Sequence, residues 1–561
     1  MTNYPFWTIN KTGVKLGKTK LCKFLTEQGF GNYTKSTDRT ANTFTIRTVD
    51  GYVQFHSPKT IKKFIIDYVS DDPTMDDQED EREKVLDELI GLHPKSIENY
   101  LTSLVTYSSK NHEELVSLDI LLDDKETCYI PFKNGVVRVT KNSIDLLPKD
   151  ALEEDGKIWE TSVRDHSIVL DSEDDDSSNY LKDFITYAMK KGVEPKRRGN
   201  DISEGTESEE FKRSIDAFET AFGYMLHSYI DPANSKVVMF IDSNASTGKA
   251  QGGNGKSLAM KAISYFKKTT EIEGKTFQNS GQALRFNFSK VTPDSKFVCI
   301  SDAEDDFDVK KIFNLVTDTF QVEGKGTSAW DFDDDDKPKI GITTNHIVGG
   351  TDTSYRRRIF PVEFGDFWSR GVRCDITPSD VFGLTFFKDF SANDWNTFYK
   401  YGFHCIQRYL KEGLLLQDTT DYQLKVLIKE IEGPKGDGTL VRWLRNWIKQ
   451  DRIVGNYHKS GIAIDKLWKL FAEEFPLHAG LQWDKKNFGN KLYQYVMSVP
   501  ELDYNPHKSS KGNTRTDRRW RKGGYNGKEQ EDWVLITHID DSSSVDFEEL
   551  DALEFFERFA A

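Results

Sequence analysis

One six-residue segment, Gly252-Gly253-Asn254-Gly255-Lys256-Ser257, constrains this chain more than any other feature. It follows an apolar run that reads as a buried strand, Val237-Val238-Met239-Phe240-Ile241, and precedes a helical stretch from Leu258 to Phe266. Glycines at such a junction let backbone N–H groups converge on phosphate oxygens. The lysine then sets a point charge beside the β/γ-phosphates, and the serine hydroxyl can ligate Mg2+. Strand, phosphate-binding loop and helix in that order predict an α/β core that binds ATP. The strict form of the loop has glycine at position 250, where this chain has Ala250, with Gly248 two residues earlier. Asn244 to Gln251 therefore reads as an inserted or remodelled approach to the loop.

Two later segments extend the set. Lys296-Phe297-Val298-Cys299-Ile300-Ser301-Asp302-Ala303-Glu304 is an apolar strand that ends in acids. Asp302 is read as the Mg2+-side carboxylate and Glu304 as the base that orients the attacking water, roles that the sequence leaves interchangeable. A strand capped by surface acids is the plainer reading, because Asp305, Asp306 and Asp308 follow. Lys339 to Asn345 forms a third strand, and its terminal Asn345 can sense the γ-phosphate from between the other two. Tyr355-Arg356-Arg357-Arg358-Ile359 comes next. Arg357 or Arg358 can neutralise transition-state charge on a neighbouring subunit's ATP, or the three arginines form a solvated or DNA-facing edge.

Within about 110 residues this order of motifs resembles the superfamily 3 helicases, in particular the poxvirus-type primase-helicase branch of phages and mobile elements. Phe132-Lys133-Asn134-Gly135-Val136 and Phe222-Gly223-Tyr224-Met225-Leu226 resemble that branch's pre-helicase region, so the likeness covers roughly residues 85 to 370. It implies an AAA+-like P-loop ATPase core, Mg2+-dependent ATP hydrolysis, a ring that is usually a homo-hexamer, and 3′-to-5′ movement on single-stranded DNA. It also implies a hairpin that carries a lysine into the central channel. The matching stretch is Gln321 to Lys337, with Lys325 the first candidate and Lys337 the second, although Asp331 and Asp333 to Asp336 share it. The N-terminal 70 residues are too short for an archaeo-eukaryotic-type primase domain.

At 561 residues the chain is too long for one core, and the expected architecture is multidomain α/β. Its parts are a small α+β domain at 1–70, an acidic linker at 71–83, a helical pre-helicase region at 84–208 and the ATPase core at 209–370. A helical region at 371–440, a winged-helix-like domain at 441–539 and an acidic amphipathic tail at 540–561 follow. In the winged-helix reading, Asp465 and Asp484 cap two helices, and the second presents Lys485, Lys486, Asn490 and Lys491 to DNA. Strands near Leu502 to Tyr504 and Trp533 to Thr537 flank a basic wing with Arg518, Arg519, Arg521 and Lys522, where Trp520 and Tyr525 can stack on bases. A solvated loop is the alternative for that wing. The tail either docks on a replication partner or packs on its own protein.

Net charge is −15, so contact with single-stranded or duplex DNA has to come from such local patches. The five cysteines lack metal or disulfide spacing, no apolar run is long enough to span a bilayer, and the first residues lack a signal-peptide pattern. A cytoplasmic location, that of the bacterial host for a phage or mobile element, is expected. The expected activity is that of an ATP-dependent, ring-forming DNA helicase of phage or mobile-element replication. The rival is an origin-binding initiator whose P-loop controls assembly rather than unwinding.

Overall fold

A computed structural model describes the chain from Phe6 to His538, apart from residues 12, 35–42, 73–74, 76–77, 102–103, 109–115, 149–155, 171–178, 198, 246–251, 279–285, 325–328, 333, 455–461, 482, 505–519, 523–530 and 535. The chain divides into two compact units. The first holds residues 1–244, 251–345 and 358–418, and the second residues 245–250, 346–357 and 419–561.

The first unit begins with a mixed six-stranded sheet, in the order Ile158–Trp159, Tyr52–Phe55, Thr43–Val49, Phe30–Thr34, Thr106–Ser108, Val116–Ser117. Its helices reach into the stretch expected as a linker. Ser57 caps Pro58–Ser70 by accepting from the Thr60 N–H, and Ile61, Ile65 and Val69 recur at helical spacing on its buried face. Met75, inside the acidic run 71–83, is buried with them, and so are Val85 and Leu89 of the helix Glu79–Gly91. Glu79, Asp80 and Glu81 occupy that helix's first turn, where carboxylates favour the N-terminal end of the helix dipole. What reads as a solvated linker is thus the start of a packed helix, and the N-terminal layer runs past residue 70.

The hairpin expected at Phe132 to Val136 is present. Thr127–Phe132 pairs with Gly135–Thr140 across the two residues Lys133 and Asn134, and Gly135 has φ 158°. The long helices Glu209–Leu226 and Ala392–Glu412 pack so closely that a Cβ on Gly223 would lie 2.0 Å from the Cys405 carbonyl oxygen. Arg408 ties the same two helices through Asp216 and Glu219, each at 2.6 Å.

The centre of the unit is a five-stranded, all-parallel sheet in the order Thr269–Glu273, Phe297–Ala303, Lys339–Thr344, Val237–Asp242, Ile359–Phe364. All six residues of Val237–Asp242 are buried, as a strand flanked on both sides and covered by helices requires. Lys339–Thr344 lies between the strand that precedes the glycine loop and the strand that carries the acids, the position its proposed sensing role needs.

The second unit contains Thr420–Glu432, Thr439–Val454, Ile464–Glu474, Pro476–Leu481 and Lys485–Ser498 as helices. The division at residue 418 splits the expected helical region 371–440 between the two units. Ile462–Ala463 pairs antiparallel with Glu531–Val534, which pairs with Trp520–Lys522, and Leu502–Tyr504 pairs with Ile536–His538. Leu467, Phe471, Phe488, Leu492 and Val534 form its core. Asp484 caps Lys485–Ser498 by accepting from the Asn487 N–H at 2.8 Å. Asp465 does not cap its helix: Ala463 holds that position, and Asp465 binds Lys469 at 2.8 Å and Lys485 at 2.9 Å. No helix among the described residues is long and apolar enough to cross a membrane.

Candidate nucleotide site

The glycine loop turns into the helix Lys256–Ile263 at the carboxyl end of Val237–Asp242. Gly253 (φ 100°) and Gly255 (φ 93°) both adopt the left-handed region, which other residues reach only with strain. Space demands glycine at 255 as well, because a Cβ there would lie 2.6 Å from the Phe184 ring. The loop borders a cavity of about 530 Å³, lined by Gly253 to Leu258, Asp302 and Asn345 on its polar side. Phe184, Trp368, Val372, Ile376 and Pro378 supply an apolar wall. A helix N-terminus, backbone amides, a cation and an apolar wall make a volume suited to a nucleotide.

The polar groups are tied to one another. Lys256 Nζ donates to Asn345 Oδ1 at 2.7 Å and forms an ion pair with Asp242, and Asn254 Nδ2 donates to the same Asp242 oxygen at 2.8 Å. Asp242 and Asn254 are each 1% exposed and Lys256 is 4% exposed. Burial lowers the Lys256 pKa, and Asp242 opposes that shift. Asn254 Oδ1 is buried and accepts no hydrogen bond, which leaves one acceptor open.

Asp302 reaches the cavity through a local irregularity. The pairing of Phe297–Ala303 with Lys339–Thr344 slips between Ile300 and Ala303, Asp302 takes φ 51°, and its N–H donates to Thr343 Oγ1 at 3.0 Å. A bulge of this kind re-aims one side chain at the end of a strand.

Of the residues singled out in the sequence, Gly253, Asn254, Gly255, Lys256, Ser257, Asp302 and Asn345 thus share one cavity, and Gly252 lies beside Asn345. Glu304 does not line it, because the bulge turns Asp302 inward and Glu304 falls beyond the end of the strand. Arg357 and Arg358 close the helix Thr353–Arg358 and do not line it either; Arg358 sits over the Phe313 ring at 5.1 Å. Asp242 escaped the sequence reading, although an acid that closes an apolar strand just before a glycine loop was a visible signal.

The hairpin in the Gln321 to Lys337 stretch exists as Gln321–Val322 paired with Trp330–Asp331. Lys325 lies outside the described residues. Lys337 is not a free surface charge: it is buried, it donates to the Asp318 carbonyl at 2.8 Å, and burial lowers its pKa. That removes it as a DNA contact, because its ammonium already serves the fold. In the second unit Lys485 and Lys486 are exposed and Lys491 is half-buried, with Lys485 paired to Asp465. Arg521 and Lys522 lie on the strand Trp520–Lys522, while Arg518, Arg519 and the tail at 540–561 lie outside the described residues.

No family model matches this sequence, and no curated protein does. Among solved structures, the apo A form of the NrS-1 C-terminal region, residues 305–718, aligns at 10% identity with a TM-score of 0.38, over 85% of this chain and 95% of that one. Cch of SCCmec type IV, described as an active helicase, aligns at 8% identity with a TM-score of 0.31, over 97% of this chain and 99% of that one. Alignments this loose do not establish a shared fold.

Proposed function

We propose that this protein is a P-loop ATPase that uses hydrolysis to drive a DNA helicase of the superfamily 3 type. The observation that carries the reading is the convergence of Lys256, Ser257, Asp302 and Asn345, from three neighbouring parallel strands and their loops, on one cavity at a helix N-terminus. The amides of Gly253 to Lys256 would hold the phosphates. The residues present also fit Mg2+: the Ser257 hydroxyl and the Asp302 carboxylate are both oxygen donors and both line the cavity. When bound, the ion neutralises charge that develops on the phosphates. Of the two acids read for the site, Asp302 lines the cavity and Glu304 does not, so Asp302 takes over the water-facing role, with Asp375 as the other acid on the cavity wall.

Neither Arg357 nor Arg358 lines the cavity, and by the family resemblance they would serve as a finger for a neighbour's ATP in a ring of six subunits. The second unit's strand before Ile464–Glu474 pairs with its penultimate strand, and the helix Lys485–Ser498 lies between them in sequence. Helix, strand, three helices and closing strands favour a winged-helix-like DNA-binding module, with Lys485, Lys486, Lys491, Arg518, Arg519, Arg521 and Lys522 as its phosphate contacts.

Strand displacement on a tailed duplex with ATP and Mg2+ tests the activity. Unwinding that Lys256→Ala abolishes is the expected result. DNA binding without unwinding by the intact protein would instead favour the origin-binding initiator. Neutralising Lys486, Arg521 and Lys522 together should flatten the salt dependence of duplex binding by about one released counterion per lost contact, measured as the slope of affinity against salt.

A further inference from the structure

Asp242 sits at the end of the strand that feeds the phosphate-binding loop, and its position creates a competition. The ammonium of Lys256 is the only lysine or arginine group that lines the cavity among the described residues. That ammonium is engaged already, by the Asp242 carboxylate and by Asn345 Oδ1. A triphosphate needs the same charge. The two anions cannot both have the whole of it, because Asp242 is almost fully buried and a lysine presents one compact charge on a flexible stem.

We propose, on the basis of the nucleotide-binding reading above, that Asp242 is a positioning residue that holds Lys256 in a parked state, which the incoming phosphates must displace. Asn254 makes the exchange feasible. Its Nδ2 donates to the same Asp242 oxygen that receives Lys256, so the buried carboxylate keeps a partner when the ammonium turns away. Asn254 belongs to the phosphate loop itself, so movement of the loop and release of the lysine are mechanically joined. Nucleotide affinity therefore includes a penalty set by the fraction of time that Lys256 is free. The carboxylate also keeps the ammonium from being buried without a counter-charge while the cavity awaits substrate.

The test measures binding of a non-hydrolysable ATP analogue, with Mg2+, to the full chain and to four variants. Asp242→Asn keeps the shape of the side chain but removes the charge that competes with phosphate. It should bind the analogue about tenfold tighter, the factor expected if the lysine is free one time in ten. Asp242→Glu keeps the charge and should bind no tighter than the parent protein. Lys256→Ala should bind weakly, and adding Asp242→Asn to it should bring no gain, because the effect acts through the lysine. A purely structural role for Asp242 predicts weaker binding in Asp242→Asn and a lower melting temperature. Should that variant fold poorly, Asp242→Ser must show the tightening instead. Unchanged or weaker binding by both, or a gain that persists without Lys256, overturns the proposal. Normal binding by Lys256→Ala would instead overturn the nucleotide site itself, so the two failures are distinguishable.

Discussion

The two edges of the parallel sheet each carry a buried lysine–aspartate pair, and the two pairs differ in what surrounds them. At the carboxyl edge Lys256, paired to the buried Asp242, lines an open cavity together with Asn345, Asn254 and Asp302. At the opposite edge Lys267 meets Asp123 at 3.0 Å beside the half-buried Ser228 and the buried Cys128 and Lys339. There Asp123 also accepts from the backbone N–H groups of Ser228 at 2.7 Å and Tyr129 at 2.8 Å. Burial opposes ionisation of Asp123, yet Lys267, His227 and those amides hold its carboxyl well below the usual range. Every strong partner of the lower pair belongs to the fold. Asp123 and Lys267 line a cavity of only about 40 Å³, whereas Lys256 faces one of about 530 Å³, so the first ion pair acts as a staple and the second is exchangeable. Burial alone does not mark a functional charge; burial beside a volume large enough for a ligand does.

The largest effect should come from the upper edge. Lys256→Ala and Asp302→Asn should each lower ATP turnover by about a hundredfold or more, the scale of one lost electrostatic contact to a transition state. Glu304→Gln should stay within about tenfold of the parent, since Glu304 does not face the cavity. Steady-state hydrolysis of all three variants checks this, and a Glu304→Gln defect as deep as that of Asp302→Asn would return the base to Glu304.

Breaking the lower pair should act on stability instead. Lys267→Met leaves a buried carboxylate without its cation and should cost about 3–5 kcal/mol in urea unfolding. Affinity for the ATP analogue, measured well below the unfolding midpoint, should not change. A loss of affinity that matches the loss of stability would mean that the two edges are not separate in role.

A further effect is a dependence on pH. Burial, with Lys267 nearby, lowers the Lys339 pKa to about 7, while its ammonium lies 3.8 Å from the centre of the Tyr224 ring. An unfolded lysine keeps its proton to about pH 10.4, so between those values the unfolded state binds more protons. Stability should therefore rise with pH across that window, by up to about 1.4 kcal/mol per unit from this group, and fall as pH drops toward 7. His227, which burial lowers to about 4, should add a loss of stability between about pH 6.5 and 4, because the unfolded imidazole takes up a proton there first. Lys339→Met should abolish the alkaline limb in thermal melts and, because the Lys339 charge helps to lower the His227 pKa, should also narrow the acid limb.

Much of the upper edge was legible because its signals are local. The glycines, Lys256 and Ser257 are neighbours in sequence, and the acid and asparagine each end an apolar strand that can be read from a run of a few residues. What failed to be legible depends on distant partners. Asp302 rather than Glu304 faces the cavity because of a slip in pairing with a strand about 40 residues away. Lys337 looks like a channel lysine in sequence, but the carbonyl of Asp318 and its surroundings enclose it. The acidic run at 71–83 looks solvated, yet Met75 and the helix that starts at Glu79 join a core whose other members lie both earlier and later in the chain.

By itself, then, the amino-acid order determined the α/β core, the strand-to-helix glycine loop and the sequence of polar groups around it. Backbone geometry and hydrophobic spacing act over a few residues and need no knowledge of the rest. Only the tertiary structure decided which acid meets the cavity, that Asp242 holds Lys256, and which of many lysines are committed to the interior. A charge buried in a low-dielectric interior needs a partner, and long-range packing alone chooses that partner.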